Sequence, residues 1–353
     1  MNLLRKLLFP FAILYGFITS LRNYFFDKGI LKSYSFDIPV IAVGNLNVGG
    51  TGKTPQIEYL IRLLSPNYKV ATLSRGYKRK SKGFVLADAN SNAEILGDEP
   101  FQYFKKFPNI QVAVDVDRRN GIEQLLKQKS KPEIILLDDA FQHRKVRAGF
   151  YILLTAYDDL FCDDYMLPTG NLRESRNEAK RANLIIVTKC PAAISIEELD
   201  KIKQKLEGSS RCKQRDGKDR VEVFFSSIDY DDKVYNDSGS IAVGDLKLKQ
   251  KMLLAGIANP KPFFDFLQAD TGEIMTFTDH HQFSESEILS IKNKAKDKII
   301  ITTEKDFVRL DAKILKKQLF YLPIKSKLVS NQKAFDQIIL NYVGTCTRNG
   351  QLY

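Results

Sequence analysis

Residues Gly49-Gly50-Thr51-Gly52-Lys53-Thr54 combine three glycines with a lysine and a hydroxyl, and that set suits the binding of a nucleoside triphosphate. Glycines let backbone N–H groups turn toward phosphates, a lysine neutralises the β- and γ-phosphates, and a threonine hydroxyl ligates Mg²⁺. The residues before them, Val40–Val43, read as a strand, and Gln56–Leu64 reads as a helix. That is the strand–loop–helix context of a phosphate-binding loop. One position departs from the usual spacing. Asn47 stands where a glycine is expected, and asparagine tolerates a left-handed backbone better than most residues.

A second group of chemical residues follows another apolar run. Ile134–Leu137 ends in Asp138-Asp139, and a carboxylate at such a strand end holds Mg²⁺ beside a phosphate loop. The loop that follows carries His143 and Arg144, candidates for substrate or phosphate contact. Ser74–Tyr77, Gly97–Pro100 and Asp117–Arg119 fall at the same carboxyl edge, where ligands of open α/β sheets bind.

These residues need a scaffold to hold them. Apolar, β-branched runs at Val40–Val43, Lys69–Leu73, Ile110–Val114, Ile134–Leu137, Tyr151–Leu154 and Leu184–Val187 alternate with helix-length segments. That pattern predicts a P-loop α/β fold with a doubly wound, mostly parallel sheet. A polar stretch at Gly208–Lys218 reads as an exposed loop at a domain edge. Strand-like runs at Val221–Phe225, Met252–Ala255, Lys298–Thr302 and Leu319–Leu322 then predict a second, smaller α/β domain. Lys333–Val343 reads as a C-terminal helix able to pack on either domain. The expected divisions are residues 1–28, 29–218 and 219–353.

The N-terminus sets a third requirement. Leu7–Leu21 is uncharged, shorter than a full membrane span, and flanked by Arg5, Lys6, Arg22 and Lys28. It reads as a membrane-associated helix lying in the inner leaflet, with the alternative of a first core helix. The net charge of +12 points to an acidic partner such as an anionic membrane surface or a phosphorylated substrate. The four cysteines are scattered without a CxxC pair and match reduced thiols better than a zinc site. Nucleic-acid binding would require basic residues interleaved with stacking aromatics, and Lys78-Arg79-Lys80 is one short cluster that reads instead as a solvated loop. A GTPase would carry aspartate where Thr188-Lys189-Cys190 is followed by Pro191, and a partitioning ATPase would carry lysine at Val48.

The ordered stretches VGNLNVGGTGKTP (Val43–Pro55), SRGY (Ser74–Tyr77), GDEP (Gly97–Pro100), LDDAFQHR (Leu137–Arg144), LPTGNLRE (Leu167–Glu174), FTDH (Phe277–His280) and TEKD (Thr303–Asp306) resemble the tetraacyldisaccharide 4′-kinase family, the lipid A 4′-kinases of Gram-negative bacteria. The resemblance implies MgATP-dependent phosphorylation of the 4′-hydroxyl of a tetraacyldisaccharide 1-phosphate at the cytoplasmic face of the inner membrane. By resemblance Lys53 and Thr54 are the phosphate-loop pair, Asp138 and Asp139 the metal-associated acids, Asp98 the general base, and His280 its support from the second domain. Tyr77, Arg118, His143, Arg173 and Glu174 match family site positions. His281 adjoins His280, so the identity of the supporting histidine stays open.

Overall fold

The computed structural model describes residue 5 and residues 7–209, 221–267, 273–279, 281–311 and 313–350. His280, named above, lies outside the described residues, as does Cys212. Two sheets organise the chain. The larger has nine strands in the order β15-β8-β7-β6-β1-β5-β2-β4-β3. These strands are β1 (Val40–Asn45), β2 (Val70–Ser74), β3 (Val85–Leu86), β4 (Gln111–Val114), β5 (Ile134–Asp138), β6 (Phe150–Ala156), β7 (Leu184–Thr188), β8 (Glu222–Tyr230) and β15 (Ile324–Leu328). Strands β8 to β4 run parallel, and the two edges, β15 and β3, are antiparallel to their neighbours. The second sheet has six strands in the order β10-β9-β14-β13-β11-β12. They are β9 (Lys233–Asn236), β10 (Gly239–Ala242), β11 (Lys251–Ala255), β12 (Glu273–Thr276), β13 (Ile299–Thr303) and β14 (Leu319–Leu322).

The central strands β1, β2, β5 and β7 are buried at every position because helices cover both of their faces. Helix α1 spans Phe9–Asp27, α2 Lys53–Leu64, α3 Asp98–Lys106, α4 Arg118–Leu126, α5 Glu304–Leu310 and α6 Gln332–Gly350. On one face Ile57, Leu60, Ile61 and Leu64 of α2 pack against Ile41, Val43, Ile134 and Leu136. Phe335, Ile339 and Val343, spaced four apart on α6, join the same cluster. On the other face Ile122 and Leu125 of α4 pack against Ala42, Leu73, Ile135 and Leu137.

Two expectations change on contact with this arrangement. The run Val221–Phe225, read with the smaller unit, enters β8 at Glu222 and pairs with β7 of the large sheet. The chain returns to that sheet again through β15 and α6, so the 218/219 division does not coincide with a change of sheet. The stretch read as a loop at Gly208–Lys218 begins inside the helix Ile196–Ser209; residues 210–220 lie outside the described residues.

Helix α1 lies against the large unit by a narrow polar face. Asn23 is buried and donates to Glu174 at 3.2 Å, and Arg22 pairs with Glu174 at 2.7 Å. Its outer face leaves Phe9, Phe11, Ile13, Leu14, Phe17, Ile18 and Leu21 exposed. No described helix is long and apolar enough to cross a membrane.

The two sheets are joined through α3 and α5. Lys106 sits between two buried carboxylates, 2.7 Å from Glu58 and 2.5 Å from Glu304. Burial first, and the Glu58 charge second, push the Glu304 carboxyl from its ordinary 4.5 to about 7. A carboxyl raised on folding contributes stability that is present below its unfolded value and is lost as pH rises through its folded value. Urea unfolding followed from pH 4.5 to 8 should therefore show stability falling between pH 4.5 and about 7 and levelling off above it, with a slope of at most about 1.4 kcal/mol per pH unit. Glu304→Gln should flatten that limb. Parallel curves for the two proteins would remove Glu304 as its source.

Candidate active site

The phosphate loop leaves β1 at its carboxyl end and enters α2 at Lys53. Gly49 (φ +119°) and Gly52 (φ +77°) hold backbone conformations that side chains rarely adopt. The Thr188 hydroxyl donates to the Thr51 carbonyl at 2.8 Å, which fastens the loop to the end of β7. Asn47 is not among the residues with positive φ. It is accommodated because its buried amide donates to Asp164 at 3.1 Å, not because its backbone turns left-handed.

Lys53 reaches back over the loop. Its Nζ lies 3.1 Å from Asn45 Oδ1 and 3.4 Å from Asp139 Oδ1. Arg173 converges on the same two residues, donating to Asn45 Oδ1 at 2.6 Å and to Asp139 Oδ1 at 2.9 Å. Two cations thus meet one carboxylate at the mouth of the loop. Burial alone would raise Asp139, but Lys53 and then Arg173 outweigh it and hold the carboxyl well below the usual carboxylate range. Asp139 also takes a left-handed backbone (φ +48°), a strain of the kind that collects at functional sites.

Asp138 behaves oppositely. Burial, and then the charge of Asp139, push it up to about 6. Its Oδ2 accepts from Ser74 at 3.3 Å and from Tyr103 at 3.4 Å. Its Oδ1 is buried and has no hydrogen-bond partner among the described residues. A buried carboxylate oxygen left unpaired beside a second acid fits a divalent cation.

Arg118 lies beneath this pair with 2% of its surface exposed. It donates to the carbonyls of Asp115 at 2.7 Å and Asp138 at 3.3 Å, so it braces the strand end from below. Burial lowers its guanidinium to about 10, against the opposing fields of Asp138 and Asp139, which raise it.

Beside Asp139 opens a cavity of about 200 Å³. Arg75, Asp139, His143, Arg173 and Glu174 line it, with Tyr15 and Arg22 contributed by α1. His143 is lowered to about 4, by burial and then by Arg118, so its imidazole is neutral at physiological pH. Glu174 is braced by Arg22 and by Arg181 at 2.8 Å. Tyr77 is more than half exposed, with Lys78 over its ring.

Asp98 begins α3, and its carboxylate is gripped by Arg309 of α5. Arg309 also donates to the backbone carbonyl of His281 at 3.3 Å. The His281 ring sits between Phe277 and Phe283, with Nε2 3.0 Å from Glu287. It serves to fasten its loop. Lys305 holds Asp279 of that loop at 3.0 Å, and Asp306 accepts from the Gly256 N–H at 2.7 Å. The TEKD stretch therefore anchors both Asp279 and Gly256 to α5.

With this geometry in place, comparison with known proteins decides the family. The Tetraacyldisaccharide-1-P 4′-kinase family model matches residues 4–344. The chain belongs to the tetraacyldisaccharide-1-P 4′-kinase family. A tetraacyldisaccharide 4′-kinase of Flavobacterium psychrophilum is 66% identical, covering 99% of this chain and all of the relative. One from Bacteroides thetaiotaomicron is 43% identical over 98% of this chain and 95% of its own length. The crystal structure of the Aquifex aeolicus family member in complex with ATP is 30% identical with a TM-score of 0.76, and the match covers 97% of this chain and all of that one.

Sequence reasoning missed Arg309, Tyr103, Asn45 and the α1 residues Tyr15 and Arg22. Arg309 follows Asp306 by three positions, on the same face of α5, so the TEKD motif pointed at it. Nothing in spacing pointed at Tyr103. Lys189, weighed above only as a failed guanine signature, lies over the phosphate loop. Its Nζ is 3.8 Å from where a Cβ on Gly50 would be.

Proposed function

We propose that this ATP-dependent 4′-kinase of lipid A biosynthesis transfers the γ-phosphate of MgATP from the loop Gly49–Thr54 to the 4′-hydroxyl of a tetraacyldisaccharide 1-phosphate lying in the inner membrane. The observation that carries the reading is the meeting of Lys53 and Arg173 on Asp139, at the mouth of the phosphate loop and on the wall of the cavity that α1 helps to form. Lys53 takes charge from the transferring phosphate once nucleotide displaces its contact with Asp139. Thr54, Asp138 and Asp139 would hold Mg²⁺, which supplies neutralisation of the phosphate oxygens. Asp98 accepts the proton of the sugar hydroxyl, and His280 supports it from the second sheet's unit. Tyr77, His143, Arg173 and Glu174 bind the disaccharide phosphate, and Arg118 holds Asp138 in place. Detergent-solubilised protein given γ-labelled MgATP and the disaccharide 1-phosphate should produce labelled lipid. Label released only as inorganic phosphate would oppose the reading.

The membrane position is supported by the exposed apolar face of α1. Truncation is an unsuitable test because it also removes Tyr15 and Arg22 from the cavity wall. Phe11→Ser/Phe17→Ser/Ile18→Ser instead changes only exposed side chains. Partition onto lipid vesicles should weaken on the order of 10²-fold, from the apolar surface removed. Turnover in detergent micelles should stay within a few-fold. Unchanged vesicle partition would end the anchoring role of α1.

A further inference from the structure

A second cavity, of about 530 Å³, opens at the C-terminal end of α1. It shares no lining residue with the cavity beside Asp139. Its walls carry five cations, Lys32, Arg144, Arg147, Lys180 and Arg181, against one acid, Asp27. Two of the cations are committed. Arg144 pairs with Asp27 and with Glu178 at 3.4 Å, and Arg181 pairs with Glu174 and Glu178, each at 2.8 Å. Lys32, Arg147 and Lys180 are exposed and have no ion pair among the described residues. The apolar surface of α1 leads to this place. Phe17, Leu21 and Tyr24 fall on one helical face, and Ile30 and Leu31 are exposed just past its end. An anionic headgroup above and acyl chains alongside would match both halves of this surface.

We propose that this cavity binds the phosphate of an anionic phospholipid of the surrounding bilayer, which rests on the membrane reading given above. Lys32, Arg147 and Lys180 meet the phosphodiester, while Arg144 and Arg181, held by their carboxylates, form a fixed positive wall. The acyl chains lie along the exposed face of α1. The site fixes how the protein sits on the bilayer and is separate from the one that receives the substrate's reacting hydroxyl.

The test compares the full-length protein with Lys32→Gln/Arg147→Gln/Lys180→Gln. Cosedimentation is measured with vesicles of phosphatidylcholine alone and of an equal mixture with phosphatidylglycerol. The unaltered protein should prefer the anionic vesicles, and the triple variant should lose on the order of 10²-fold of that binding. Its binding to phosphatidylcholine alone and its kcat in uncharged micelles should hold. A control, Lys247→Gln/Lys249→Gln/Lys317→Gln, removes equal charge from exposed positions elsewhere and should retain the preference. Equal loss in the control would overturn the proposal by assigning the effect to net charge. A raised KM for the disaccharide in uncharged micelles would overturn it by giving the cavity to the substrate's own phosphate. Release from anionic vesicles by low concentrations of inorganic phosphate would overturn it in favour of a free-phosphate site. If the unaltered protein binds neither vesicle, the membrane reading falls with it. If it binds both equally and the triple variant matches it, only the headgroup site falls.

Discussion

Lys53→Ala is expected to lower kcat by about 10²- to 10³-fold with the fold intact, the loss seen when one preorganised charge is removed from a developing anion. The ammonium is held between Asn45 and Asp139 before any phosphate arrives. It is thus already positioned and partly desolvated, and its reorganisation during transfer is small. Its removal also leaves Asp139 with Arg173 as its remaining close cation, so the site becomes more negative where a polyanion must enter. The fold should survive because α2 is secured by Ile57, Leu60, Ile61 and Leu64, not by its first residue. Lys53→Arg should not restore the rate, since a planar fork cannot replace a compact ammonium in this gap. Steady-state kinetics with a parallel thermal melt checks both halves. A well-folded Lys53→Ala protein with near-normal turnover would remove the phosphate-loop assignment.

The parts of the molecule that could be read from sequence are those in which neighbours along the chain are also neighbours in space. β1, the glycine loop and α2 form one continuous unit, so their spacing carried the chemistry. The Asp138-Asp139 pair was legible because a buried strand has few reasons to end in two acids. What sequence could not supply was assignment across distance. β8 is an apolar run like those of the second sheet, and only its pairing with β7 decides where it belongs. Arg118 looked like a substrate contact by position, yet it is buried under Asp138 because the strand-end carbonyls there need a donor. Asn47 was read through backbone tolerance, but a side-chain bond to Asp164, 117 positions away, explains it. Arg309 and Asp98 are 211 positions apart, and no periodicity relates them.

Asp98→Asn is expected to lower kcat by about 10²- to 10⁴-fold, the usual cost of removing a general base, while MgATP affinity stays within a few-fold. The proposed nucleotide residues Lys53, Asp138 and Asp139 sit on elements of the large sheet, and none of them pairs with the Asp98 carboxylate. Asp98 is instead tied to the other unit. Arg309 Nε donates to its Oδ2 at 3.1 Å, and the same guanidinium donates to the carbonyl of His281. One arginine therefore ties the proposed base to the backbone at His281. Arg309→Met should lower kcat by roughly tenfold, less than loss of the base itself, because it misplaces the carboxylate without removing it. Arg309→Lys should recover little, as a single ammonium cannot hold a carboxylate and a carbonyl in one fork. His280→Ala should also lower kcat. If Asp98 and His280 act as one unit, the double variant should be little worse than the worse single variant. Multiplicative losses would assign them independent roles. His281→Ala should lower the melting temperature more than the rate, since its ring packs between Phe277 and Phe283 and meets Glu287. The reverse outcome, full activity in His280→Ala and a slow His281→Ala, would move the support to His281. Full activity in both would remove a histidine from the support of Asp98, and Arg309 would then be the contact from the second sheet's unit that positions it.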